Sequence, residues 1–225
     1  MICMKQLKRV YARANLEPLS AVHTIDFTIK AGDFICIIGK SGSGKSTLLN
    51  MLVGLLRPTS GEILIDGIDL WSLTERDMAK LRSSKFGYIP QGPSLLSNLT
   101  VLDNVRLPFC MANKKGSGIE SAVKLLEEMG IKELMDRYPS ELSGGEMRRA
   151  AIARALINNP EILIADEPTS DLDEETTKEV MRVFSKINSK GTTILMVTHE
   201  YDITRYGNRL CIMSSGKLVE KYDLD

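Results

Sequence analysis

Phe34-Ile35-Cys36-Ile37-Ile38-Gly39-Lys40-Ser41-Gly42-Ser43-Gly44-Lys45-Ser46-Thr47 decides how the rest of the chain is read. The first five residues form a short unbroken apolar run, the pattern of a strand covered on both faces. Gly39 to Ser46 then matches GxxxxGK[ST], set between that strand and a helix predicted from about Lys45 to Leu56, before Pro58. Glycines at 39, 42 and 44 permit backbone conformations that aim N–H groups inward, and the positive end of a helix adds to their pull on phosphate oxygens. Lys45 is placed to reach the β and γ phosphates of a nucleotide, and Ser46 to offer its hydroxyl to Mg²⁺. Leu48, Leu49, Leu52 and Val53 would anchor the helix on a sheet. The alternative, a flexible Gly/Ser linker, does not join a buried strand to an apolar helix.

A second apolar run, Ile162-Leu163-Ile164-Ala165, ends in Asp166-Glu167. That places two carboxylates at the C-terminal edge of a sheet, where open α/β folds bind ligands. Asp166 would hold Mg²⁺, through water. Glu167 would take a proton from, or orient, the water that attacks the γ phosphate, with an acidic helix cap as the alternative. Both features are common to kinases, GTPases and motor ATPases. Leu142-Ser143-Gly144-Gly145-Glu146 narrows the choice, because it opens the helical stretch Arg148 to Leu156 with free N–H groups at a helix start. A serine-capped ordinary helix is the alternative here. One phosphate-loop domain has no evident need for two such ends about 100 residues apart, unless the second closes on a nucleotide held by another copy.

Around these stretches the chain reads as mixed. Val22 to Ile29 puts Ile25, Phe27 and Ile29 on one face of a strand, against Asp26, Thr28 and Lys30, before a turn at Ala31-Gly32-Asp33. Glu62 to Leu70 reads as a hairpin about Asp66-Gly67. From about Pro93 to Ile157 the pattern turns helical, with Ile119, Val123, Leu126 and Met129 on one face and an exposed loop over Asn113 to Gly118. A helix near Glu174 to Ile187 separates the run Ile162 to Ala165 from Thr193 to Val197, and strand, helix, strand implies a parallel sheet. Arg209 to Met213 and Lys217 to Tyr222 close the chain as paired strands through Ser214-Ser215-Gly216.

At 225 residues with 43% hydrophobic content the chain can fill an ordinary core. Lys plus Arg and Asp plus Glu each number 29, so the bulk charge favours neither nucleic acid nor an anionic membrane surface. Cys3, Cys36, Cys110 and Cys211 have no CxxC spacing and no neighbouring histidines, so isolated reduced thiols are expected rather than a zinc site. No apolar run approaches the ~20 residues of a bilayer span, so any membrane contact is expected to be indirect.

Taken together, the motifs resemble the ATP-binding subunits of ABC transporters: Leu142 to Glu146 is similar to their LSGGQ signature, and the other motifs follow in the family's order. The resemblance implies an α/β fold, a P-loop NTPase with a RecA-like core, an antiparallel β subdomain and a helical subdomain. It implies a single domain, with residues 1–92 and 158–225 forming the core and its antiparallel part and 93–157 the helical subdomain. Gln91, in Tyr88-Ile89-Pro90-Gln91, resembles the Q-loop glutamine that touches Mg²⁺ and couples to the membrane partner. Ser170-Asp171-Leu172-Asp173 resembles the D-loop that communicates across a dimer, His199 the switch histidine, and Tyr11 the aromatic that stacks on adenine.

The implied catalytic set is thus Lys45, Gln91, Glu167 and His199, and the implied metal set Ser46, Gln91 and Asp166. Nucleotide contacts fall to Tyr11, to Gly39, Lys40, Ser41, Gly42, Ser43, Gly44, Lys45, Ser46 and Thr47, and to Ser143, Gly144, Gly145 and Glu146. ATP and Mg²⁺, a second copy packed head to tail and a separate transmembrane permease are the expected partners, with no nucleic acid, at the cytoplasmic face of the membrane. Two residues depart from the family pattern, Glu146 where glutamine is common and Asp171 where a small residue is common. Leu95-Leu96 and Leu99 to Val105 resemble the lipoprotein-release and macrolide or antimicrobial-peptide export branch. The rival readings are a soluble ABC ATPase for iron–sulfur assembly, translation or signalling, and a non-enzymatic nucleotide-dependent scaffold.

Overall fold

The computed structural model describes residues 1–13, 16–92, 94–112 and 114–221. Its contacts divide into two units, residues 1–82 with 195–225, and residues 83–194. In the first unit β1 (Ile2–Arg13) and β2 (Leu16–Ile29) pair antiparallel, and β4 (Ser60–Ile65) and β5 (Ile68–Asp69) extend the sheet in the order β2-β1-β4-β5. The strand expected from Val22 therefore starts earlier, and its alternation is broken. Between Val22 and Ile25 three steps of β2 oppose two of β1, with Thr24 at φ 43°, so Val22 and Ile25 are both buried. A second bulge lies on β1 at Gln6 (φ 49°), where the Gln6 backbone N–H and Nε2 donate to the Asp26 carboxylate at 2.9 and 2.5 Å. The Asp66-Gly67 hairpin is as expected: both residues have positive φ, 50° and 84°, as a two-residue type I′ turn requires.

The same unit holds β3 (Phe34–Ile38), which pairs parallel with β9 (Arg209–Ser214); β9 pairs antiparallel with β10 (Lys217–Lys221). Tyr222, expected to end that last strand, lies outside the described residues. Helix α1 (Lys45–Leu52) stops four residues short of the expected Leu56. Gly54 takes φ 70°, and the Leu55 and Leu56 N–H groups both turn back to Asn50 O, so the helix closes on a left-handed glycine before the proline acts. A Cβ at Gly54 would lie 2.9 Å from Met78 Sδ, so close packing also favours glycine there.

In the second unit β6 (Phe86–Ile89) and β7 (Ile162–Asp166) pair parallel. Around them are α3 (Val101–Met111), α4 (Ile119–Glu128), α5 (Gly144–Leu156) and α6 (Glu174–Ser189), which bears out the helical reading of the middle of the chain. Gly87 lets α5 close in, since a Cβ there would lie 2.5 Å from Ala155 O. In α4 the buried stripe runs through Ala122, Leu126 and Met129, while Ile119, expected on that stripe, is 39% exposed at the helix start. Burying a side chain such as Leu126 stabilises the fold by about 1.5–3 kcal/mol. Pro93 and Asn113 lie outside the described residues. Helix α2 (Glu75–Lys85) and strand β8 (Thr193–Thr198) carry the chain from one unit to the other.

Candidate functional site

The phosphate loop belongs to the first unit. Gly39 and Gly44 sit so close to neighbouring backbone that a Cβ would lie 2.3 Å from Met213 O and 2.2 Å from Ala21 O respectively. Gly44 is also the N-cap of α1, at φ 108° and with no side-chain cap. The first N–H groups of a helix have no partner inside it, so this start presents donors and the positive end of a dipole together. Lys45 is 5% exposed, and its Nζ donates to Gly39 O at 2.7 Å and Lys40 O at 3.3 Å. Its ammonium is thereby folded back over the loop instead of reaching into solvent. The Ser43 hydroxyl is buried and makes no hydrogen bond among the described residues. Ser46 is exposed at the start of the helix.

In the second unit Asp166 ends β7 fully within the buried part of the strand, and Glu167 follows it at φ 49°. A non-glycine residue in that region costs about 1–3 kcal/mol, a strain that recurs at working sites. Gln91 Nε2 donates to Glu167 Oε2 at 2.8 Å, so the structure brings these two residues together. Burial, with the Asp166 charge acting in the same direction, pushes the Tyr88 phenol up to about 12.

Helix α5 begins with Ser143 as N-cap and a capping box. Ser143 Oγ accepts the Glu146 N–H at 3.3 Å, and the Glu146 carboxylate accepts the Ser143 N–H at 2.8 Å. Glutamine could close the same box, which is why Glu146 is tolerated here. The backbone N–H of Ser143 holds the Glu146 carboxyl below the usual carboxylate range. The Ser143 side chain also hydrogen-bonds the Glu146 carboxylate, which lowers that carboxyl further. Gly145 is needed for packing as well as for donors, since a Cβ would lie 2.5 Å from Thr176 Cγ2. Among the residues of the expected D-loop, Asp173 caps α6, its carboxylate accepting the Thr176 N–H at 2.9 Å.

Tyr11 and His199 belong to the first unit. Tyr11 is half-buried on β1 with the Arg9 guanidinium 4.7 Å from its ring centroid, and His199 is exposed directly beyond β8. The donor set fits ATP with Mg²⁺. In the first unit a glycine cradle, an uncapped helix start and a buried hydroxyl suit phosphate, and in the second unit the carboxylate and amide oxygens of Asp166 and Gln91 are donors of the kind a hard cation takes. Among the described residues no cluster of three or more His, Cys, Asp or Glu forms an all-protein cage, and Mg²⁺ needs none, since it is held by one or two carboxylates plus phosphate and water.

Sequence reasoning missed the residues that build the loop after Gln91. Asn104 is fully buried. Its Oδ1 accepts the Leu96 N–H at 2.7 Å, and its Nδ2 donates toward Leu96 O, Leu99 O and Thr100 O at 3.0, 3.1 and 3.0 Å. Arg154 Nη1 donates to Ser94 O at 2.7 Å. An asparagine within an amphipathic helix gives no pattern signal; only a buried amide at that position would have flagged it.

The four cysteines are free thiols, as expected, and among the described residues no helix is long and apolar enough to cross a membrane. The family model described as ABC transporter matches residues 22–170. The uncharacterized ABC transporter ATP-binding protein MJ1508 of Methanocaldococcus jannaschii is 41% identical over 221 residues, covering 98% of either chain. The macrolide export ATP-binding/permease protein MacB of Chlorobium phaeobacteroides is 42% identical over 201 residues, 89% of this chain but only 31% of MacB, so this chain spans about a third of such relatives. These relatives fit the export branch that Leu99 to Val105 suggested. Among solved structures, the dimeric cassette MJ0796 superposes with a TM-score of 0.89 at 35% identity over 98% of each chain. A post-hydrolysis dimer of MJ0796 bound to ADP and Pi gives 0.86 at 34% identity, again over 98% of each. With its phosphate loop, its acidic strand end and its serine-glycine helix start all in place, the chain belongs to the ABC transporter family, as an ATP-binding cassette with a P-loop NTPase fold.

Proposed function

We propose that this cassette hydrolyses ATP as one of a head-to-tail pair and drives a membrane-spanning permease carried on another polypeptide, in export or extraction of a lipoprotein, peptide or drug. The observation that carries the reading is the presence of two helix starts, at Gly44 and Ser143, that offer phosphate-ready donors in one chain. Gly39 to Thr47 would hold the phosphates of one ATP, with Tyr11 against adenine, while Ser143, Gly144 and Gly145 of the opposite copy would complete the cage around its γ phosphate. Glu167, oriented by Gln91, would accept the proton of the attacking water, and Lys45 and His199 would stabilise charge on the transferred group. Mg²⁺, held by Ser46, Gln91 and Asp166, would neutralise charge on the β and γ phosphates. The dimeric relatives MJ0796, one with ADP and Pi, and the permease-fused MacB support this reading.

In this reading the core comprises residues 1–92 and 158–225 and the helical subdomain 93–157, and the chain sits at the cytoplasmic face of the membrane through its permease. Replacing Glu167 by Gln should lower kcat by about 10²–10⁴-fold while ATP binding persists. Light scattering should then find a stable ATP-dependent dimer. Normal turnover in Glu167→Gln would sink the assignment.

A further inference from the structure

We propose that the turn of the β9–β10 hairpin positions the phosphate loop for ATP, with Met213 and Gly216 as the positioning residues. The proposal rests on the reading of Gly39 to Thr47 as the phosphate site and deepens it. All the residues concerned lie in the first unit.

The brace begins with the pairing of strands. β3 and β9 run parallel as far as Ile38 and Ile212, so Gly39 and Met213 leave the sheet side by side. They leave it in contact, since a Cβ at Gly39 would lie 2.3 Å from Met213 O. At the other end of the loop a Cβ at Gly44 would lie 2.8 Å from Met213 Cε, and Met213 is 1% exposed. One buried residue therefore touches both ends of the loop, with its carbonyl at the first and its side chain at the second.

Beyond Met213 the chain reverses through Ser215 and Gly216, both at positive φ, 46° and 78°, with Ser214 paired to Lys217 across the turn. Gly216 uses its peptide groups outside the hairpin. Its N–H donates to Ser43 O at 3.0 Å, and its C=O accepts the His23 N–H at 2.8 Å. A Cβ there would lie 2.9 Å from Ala21 O, the same oxygen that a Cβ at Gly44 would meet at 2.2 Å. The loop is thus gripped between the hairpin turn and β2. A ligand that must also order its own donors loses affinity by the cost of that ordering. A loop already held by the hairpin avoids that loss. None of these contacts involves Glu167, so loosening the brace should act on ATP binding and not on the bond-breaking step.

The test compares Gly216→Ala, Met213→Ala, Met213→Leu and Ile63→Ala in the full chain, by ATPase rates over a range of ATP and by urea unfolding. Ile63 is fully buried on β4 in the same unit and controls for lost packing alone. Gly216→Ala and Met213→Ala should each raise KM for ATP at least about five-fold with kcat within about two-fold, while Met213→Leu, close in volume, stays within about two-fold in both. Ile63→Ala should lower the urea midpoint too and leave KM within about two-fold. In the wild-type chain, saturating ATP should slow hydrogen exchange at the Gly216 amide at least about ten-fold more than at the Thr59 amide, which bonds Lys8 O in the same unit. That measurement holds even where a variant does not fold. Unchanged KM in both alanine variants, a like rise in Ile63→Ala, a kcat that falls as far as KM rises, or equal slowing of the two amides would overturn the proposal. A wild-type chain that does not bind ATP would overturn both readings, whereas ATP binding indifferent to the turn overturns this one alone.

Discussion

Helices α1 and α5 both begin where a phosphate is expected, yet their starts are built to opposite specifications. The start of α1 has a left-handed glycine, Gly44, and no side-chain cap. The start of α5 has Ser143 and Glu146 closing a capping box over its own N–H groups. The first therefore leaves donors for an anion at all times, and glycines wedged against Met213 O and Ala21 O hold it open. At the second, two N–H groups are satisfied without a ligand, and a carboxylate stands beside the donors that remain. The comparison teaches that one end keeps its donors open by its backbone alone, while the other is a helix start stabilised by its own side chains.

Three changes break or sharpen this contrast. Gly44→Ala should have the largest effect: the new Cβ would meet Ala21 O at 2.2 Å and a φ of 108° at once. A loss of stability of about 3 kcal/mol or more is expected, read as a lower unfolding midpoint in urea, together with loss of ATP binding in a titration. A variant as stable as the wild type would show that the loop is not held as described.

Ser143→Ala should cost about 1 kcal/mol by removing the acceptor for the Glu146 N–H. The same urea midpoint reads it, and a larger loss than for Gly44→Ala would reverse the contrast between the two starts. Glu146→Gln should have the smallest effect, under about 1 kcal/mol because the group is partly exposed. Its signature is in the pH dependence. The folded pKa of Glu146 is lowered, so its contribution is complete above the unfolded carboxylate value of about 4.3 and is lost as pH falls through the folded value. Wild type and Glu146→Gln should differ at pH 7 and converge in acid; a gap that persists at low pH would remove the capping box as its cause.

Much of this was legible along the chain. The strand, loop and helix from Phe34 to Leu52 follow from an apolar run, three glycines and a lysine whose spacing carries its own chemistry, and Asp166-Glu167 follows from the end of a second apolar run. Legibility failed where the cause was a contact far along the chain. Helix α1 stops at Leu52 because Gly54 turns left-handed against Met78, whereas the sequence pointed to Pro58 as the stop. The face of β2 shifts because a bulge at Thr24 inserts a residue, which no alternation rule foresees.

By itself, then, the sequence determined the local chemistry: which residues carry phosphate donors, carboxylates and caps, because those depend on residue type and on spacing within one turn. Only the tertiary structure decided which of them meet. The pairing of Gln91 with Glu167 and the hold of Arg154 on Ser94 join positions many residues apart, and no period in the sequence encodes such contacts or the burial of Asn104.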